Sequence, residues 1–214
     1  MDFYKTMCPD ATATAKVPVL EHGEPGSKDY VSLIESTVIL EYIEDAWPDT
    51  GLQLRPTAPM DAARVRMFNE SFGKMSPFGL LMGDSLEALQ KKLQEMARGM
   101  QIVDRCLQQY KKRDADGEFL MGSDFSLAEC MAAPILVRSV AWLKGIRNVD
   151  MLQLADDLTL THLSAWMKAV LARPSVTKTT PDFDLAENIK KVHPDWIKCE
   201  GQLTYRVEAG TLVF

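Results

Sequence analysis

Three short stretches near the start of the chain hold residues that could do chemistry. Glu35-Ser36 stands just ahead of TVILEYIEDAW, in which Ile39, Tyr42, Ile43, Ala46 and Trp47 recur at helical spacing. A helix start offers unpaired N–H groups and the positive end of its dipole, which suit a carboxylate. The Ser36 hydroxyl adds a donor, and the Glu35 carboxylate can take an ammonium group. The plainer alternative is an ordinary helix cap beside a solvated glutamate. Val17-Pro18 opens the apolar run VPVLE. Proline removes a ladder donor, so it marks an edge or a special backbone geometry, and an X-Pro bond adopts the cis form at modest cost. Cys8-Pro9 offers a thiol, which is reactive where a helix N-terminus lowers its pKa. The ATATA that follows reads instead as an irregular loop of small residues.

The other candidate groups are scattered. The four cysteines, Cys8, Cys106, Cys130 and Cys199, form no CxxC pattern, and His22, His162 and His193 form no HxH or HExxH pattern. No metal site is expected. Cys106 and Cys130 fall in apolar helical patterns and are expected to be buried thiols. A net charge of -6 argues against nucleic acid or an anionic membrane as main partner. No apolar run approaches the roughly 20 residues that span a bilayer, and MDFYKTMCPD has no signal pattern, so a cytoplasmic protein is expected.

The elements that must position these groups change character near residue 50. VPVLE and DYVSL, separated by the turn-rich EHGEPGSK, predict an antiparallel hairpin. The helix from Ser36 is stopped by Pro48. PDTGLQLRPTAP is a linker by composition. Nearly everything from there to residue 172 reads as helix. Met60, Ala63, Met67, Ser71 and Met75 share a face of the first long helix, and SPFGL bends or breaks it. Leu86, Leu89, Leu93, Met96, Met100, Val103, Leu107 and Tyr110 form a seam. That seam suits the inside of a helical bundle, with a free coiled coil as the alternative. Ser126 and Glu129 form a capping box, which makes this carboxylate structural. Pro134 predicts a kink. Leu163, Trp166, Met167, Val170 and Leu171 face inward on a further helix stopped by Pro174, and PDFDLAENIKKV adds a short helical turn. The tail QLTYRVEAGTLVF is β-like with a Glu-Ala-Gly turn, and either adds a strand to a sheet edge or is disordered. The expected domains are residues 1–48, a linker at 49–58, an all-helical part at 59–185 and a tail at 186–214.

VPVLE, then ESTVILEYIEDAWP, then FSLAECMAAPIL and a closing AWMKAVLARPSV resemble, in that order, the cytosolic glutathione transferases, nearest to the Omega and Lambda kind. The resemblance covers roughly residues 2 to 185. It implies an α/β thioredoxin-like domain, here truncated, followed by an all-α helical bundle. It implies glutathione as a substrate held by Val17, Pro18, Glu35 and Ser36, with Val17 pairing to the cysteinyl part and Glu35-Ser36 taking the γ-glutamyl end. A small electrophile or disulfide is the second substrate, and a homodimer is the usual assembly. Met60, Met67, Phe68 and Phe72 are the residues of the first bundle helix placed for that contact. A βαβ unit needs roughly 30 residues. Only 16 precede VPVLE, so the unit carrying the family's catalytic residue is expected to be absent. Cys8-Pro9 matches the loop after the second helix of that family and not its active site, so the catalytic residue is unknown. Two other functions remain open on these residues. One is a non-catalytic binding or assembly module on a truncated transferase fold. The other is a helical scaffold pairing through the seam from Leu86 to Tyr110.

Overall fold

The computed structural model describes residues 17–112 and 116–214. Cys8-Pro9 lies outside the described residues. The chain divides into two compact units that meet between Arg55 and Pro56.

In the first unit, β1 (Leu20–His22) pairs antiparallel with β2 (Val31–Leu33), Leu20 opposite Leu33 and His22 opposite Val31. The turn closes at Gly23, whose φ of 86° suits glycine and where a Cβ would meet the Asp29 carbonyl at 2.8 Å. Helix α1 (Ser36–Ala46) follows and ends at Trp47, just before Pro48. The Glu44 carboxylate accepts from the Leu54 and Arg55 N–H groups, both at 3.0 Å, and so draws the following loop back onto the helix. Among the described residues of this unit Ile39 alone is buried.

The second unit is helical. Helix α2 (Pro59–Phe72) runs into a 3-10 turn at Gly73–Met75, and α3 (Phe78–Met82) follows the Ser76-Pro77 break. Helix α4 (Leu86–Tyr110) carries the expected seam, from Leu89 to Leu107 buried against α2 and the 3-10 turn. The seam is the inside of a bundle. Gly99 lets the two backbones touch, since a Cβ there would lie 2.1 Å from the Lys74 carbonyl oxygen. Helix α5 (Leu127–Trp142) contains Pro134 and continues into a π-turn at Leu143–Arg147. Then come α6 (Met151–Asp157), α7 (Thr161–Ala172), α8 (Pro174–Thr179) and α9 (Leu185–Val192). Helix α6 had no counterpart in the sequence reading. Pro174 both ends α7 and starts α8, at a first-turn position where its missing N–H costs nothing. The tail forms its own hairpin, β3 (Arg206–Glu208) and β4 (Thr211–Val213), through Ala209 and Gly210, both at positive φ as a tight primed turn needs.

The proposed stripe on α2 is only partly internal. Ser71 and Met75 are buried, but Met60 is 68% exposed, Met67 is 46% exposed and Ala63 is exposed. The buried face is Val65, Phe68, Ser71 and Phe72, because Phe68 and Phe72 pack their rings on Trp166 of α7 at 5.1 and 5.9 Å.

Behind Trp166 sits a fully buried carboxylate. Glu129 Oε1 accepts from Leu120 N at 2.8 Å and from Trp166 Nε1 at 3.0 Å. Its Oε2 accepts from Ser126 N at 2.9 Å and from the Ser126 hydroxyl at 2.8 Å. The capping box therefore does more than start α5. Replacing Glu129 by Ala strips four donors of their acceptor, and each buried group left unpaired costs about 1–3 kcal/mol. Glu129→Gln keeps one acceptor oxygen, and the Ser126 hydroxyl can turn to accept from the amide. Urea denaturation is expected to show Glu129→Ala less stable by at least about 3 kcal/mol, and Glu129→Gln by clearly less.

Candidate functional site

Among the described residues each unit offers a candidate binding site. In the first unit, Val17 and Pro18 stand just before β1 in the chain, and Glu35 and Ser36 just after β2. The Val17-Pro18 peptide is cis, and both residues are exposed. Glu35 and Ser36 form the first step of the chain into α1.

That step is strained. Glu35 has φ 68° and ψ 112°, outside the regions that a side chain with a Cβ favours. The helix bond from Ile39 N to the Glu35 carbonyl, at 3.0 Å, holds it there. Ser36 is the first helical residue and Glu35 the cap position. No side chain among the described residues caps the first turn, and that turn holds no acidic residue. Glu35, Ser36 and Thr37 are exposed.

In the second unit, a cavity of about 410 Å³ opens between α5 and the α8–α9 segment. Pro134 and Val137 of α5, Val176 of α8 and Leu185 of α9 supply its apolar wall, and Arg138, Thr179 and Thr180 its polar atoms. Arg138 Nε donates to the Pro134 carbonyl at 2.8 Å, and the guanidinium stands 6.0 Å from the centre of the Trp142 ring. Of these residues only Pro134 was named from sequence, as a kink. The available signal was an arginine four residues after a proline in an otherwise apolar helix.

The thiols differ from expectation in one respect. Cys106 is buried, and burial pushes its pKa up, with the Ser71 hydrogen bond opposing, so it is a poor nucleophile. Cys130 is only half-buried. Among the described residues no three histidine, cysteine or acidic side chains are grouped as a metal ion would need, and no helix is long and apolar enough to cross a membrane.

Residues 87–169 match the family model "Glutathione S-transferase, C-terminal domain". Over 173 residues the chain is 26% identical to a probable glutathione S-transferase, parC, of Nicotiana tabacum, covering 78% of this chain and 68% of that one. Among solved structures, glutathione transferase Omega 3C from Trametes versicolor superimposes with a TM-score of 0.65 at 23% identity, over 88% of this chain and 72% of that one. The trimeric Leishmania glutathione transferase TDR1 gives 0.68 at 22% identity over 92% of this chain, which spans 41% of that longer chain.

The strain at Glu35 is measurable on its own. A residue held in such a region costs about 1–3 kcal/mol, and glycine avoids much of that. Glu35→Gly is expected to raise the stability of the chain by about 1 kcal/mol in thermal or urea unfolding. A loss of stability would mean that the Glu35 side chain holds the fold.

Proposed function

We propose that this chain, which belongs to the glutathione transferase family, binds glutathione at the Val17-Pro18 and Glu35-Ser36 end of its first unit and offers the bound thiol to a small electrophile or disulfide. The observation that carries the reading is the strained Glu35 at the uncapped start of α1. Glutathione has an amino-acid end with one carboxylate and one ammonium. The open N–H groups of the first turn and the Ser36 hydroxyl suit the carboxylate, and the Glu35 carboxylate suits the ammonium. The exposed Val17 main chain suits the peptide part of the ligand. A cytoplasmic setting, where thiols stay reduced, belongs to the same proposal.

No side chain is assigned as the activator of the thiol. Cys8 is placed outside the chemistry. The experiment is calorimetric titration with glutathione together with a thiol-transferase assay, on the wild type, Ser36→Ala and Cys8→Ser. Ser36→Ala removes a charge-assisted hydrogen bond and is expected to weaken glutathione binding ten- to a hundredfold, about 1.5–3 kcal/mol. Unchanged affinity would reduce Glu35-Ser36 to a plain helix cap. Turnover that Cys8→Ser abolishes would restore Cys8 as the nucleophile. Binding without turnover would select the alternative, a non-catalytic binding or assembly module.

Homodimer formation is part of the same proposal. Phe68 and Phe72 are committed to the core, which leaves the exposed Met60 and Met67 as the α2 residues open to a partner. Met67→Glu is expected to shift the mass measured by light scattering toward the monomer. A wild type that is monomeric at high concentration would end this part of the proposal.

A further inference from the structure

Alternate residues of the segment after α9 do different work. Arg147 donates to the Cys199 carbonyl and to the Gly201 carbonyl, the latter at 3.2 Å. Its own carbonyl accepts from the Leu203 N–H at 2.8 Å. The residues between, Glu200 and Gln202, line a second cavity of the helical unit, of about 410 Å³. Ile146 of the π-turn, Pro194 and Ile197 supply its apolar wall, and Lys190 of α9 adds an ammonium. Ile146 and Ile197 pack in one cluster with Trp142 and Ile189, so the core supports that wall. The charges do not cancel. Lys190 Nζ donates to Glu187 Oε1 at 2.7 Å, so its charge already has a partner. Glu200 makes no ion pair and no side-chain hydrogen bond among the described residues, and neither does the Gln202 amide. One carboxylate is left over beside an apolar wall, on a segment pinned on both sides.

We infer that this cavity binds small organic monocations: a primary ammonium on the Glu200 carboxylate, with an apolar body against Ile146, Pro194 and Ile197. The Gln202 amide oxygen can accept a second N–H of the same ammonium. The cavity lies wholly within the second unit and owes nothing to glutathione binding. An ammonium on a carboxylate makes a charge-assisted hydrogen bond, stronger than one between neutral groups. An anion would meet Glu200 and find Lys190 already paired. A neutral alcohol would keep the apolar contact and lose the charge. The volume falls within the range of small-molecule sites.

The test uses the whole chain without glutathione. Calorimetric titration compares phenylbutylamine, phenylbutanol and phenylbutyrate, which share a body and differ in charge. The amine is expected to bind about fivefold more tightly than the alcohol, a modest factor because Glu200 is exposed. The acid is expected to bind more weakly than either. Glu200→Gln is expected to bring the amine down to the affinity of the alcohol while leaving the alcohol unchanged. Lys190→Met removes the cation of the lining and is expected to tighten the amine. Ile197→Ala is expected to weaken amine and alcohol alike, with circular dichroism confirming that the variant is folded. Glu95→Gln, on the exposed side of α4, is expected to change nothing, which separates the site from general attraction to a chain of net charge -6. Equal affinities for amine and alcohol in the wild type would overturn the inference. So would a preference that survives Glu200→Gln, tighter binding of the acid, or no binding of the amine.

Discussion

The second unit is organised around one buried carboxylate. Taking Glu129 out of water carries a large desolvation cost unless its oxygens are filled with donors. Four donors from three separate segments fill them: Leu120 from the tight turn before α5, Ser126 twice from the cap, and Trp166 from α7. Because all four must point at one group, the carboxylate fixes the mutual placement of those segments more tightly than apolar contact does. The constraint then passes outward. Trp166 sets the surface on which Phe68 and Phe72 of α2 pack, and α2 leads into the 3-10 turn that meets Gly99 of α4. A cation at the other end of α5 follows the same rule with the opposite sign. Arg147 is fully buried, with no carboxylate partner among the described residues. Its guanidinium donates to Leu80 O at 2.6 Å, to Leu81 O at 2.8 Å and to Gly201 O at 3.2 Å, and also to Cys199 O. Burial draws its pKa down from the usual arginine range. These bonds tie the C-terminal end of α3, whose carbonyls carry partial negative charge, to the tail. The Leu203 N–H returns a bond to the Arg147 carbonyl at 2.8 Å.

Between these two buried charges, α5 has little freedom, and Arg138 lies on that stretch. The helix is anchored by Glu129 at one end and Arg147 at the other, with Trp142 donating to the Leu185 carbonyl at 3.1 Å between them. Helix α7 is placed by a similar borrowed bond. Its own cap position, Leu160, offers no side-chain acceptor, and Asp104 of α4 takes the Leu163 N–H at 2.9 Å instead.

Much of the helical unit was legible because its signals are local. The seam on α4 needs only its own period, and the Ser126–Glu129 box only a spacing of three. The cis bond at Pro18 and the turn at Ala209-Gly210 are also local chemistry. Long-range partnership was not legible. The sequence shows that Glu129 can cap, not that Trp166, at residue separation 37, donates to it. It shows apolar residues on α2 at two possible faces, and only the position of Trp166 decides that Phe68 and Phe72 turn inward while Met60 and Met67 turn out. Arg147 carries no sequence mark of burial, since its partners are main-chain carbonyls that any residue supplies. Arg138 and the threonines of α8 belong to the same class: three segments make the cavity and none announces it.

The two units differ in how much rigidity they can lend a site, and that difference bears on the glutathione reading. Among the described residues the first unit buries only Ile39, yet it carries Glu35 in a backbone conformation worth about 1–3 kcal/mol of strain. A ligand that binds only the folded form changes the balance, contributing about 2.7 kcal/mol of stability at a concentration a hundred times its Kd. That is the same size as the strain. A ligand that needs the carboxylate of Glu35 and the N–H groups of the first turn aimed at one point would therefore return, on binding, the stability that holding them there costs.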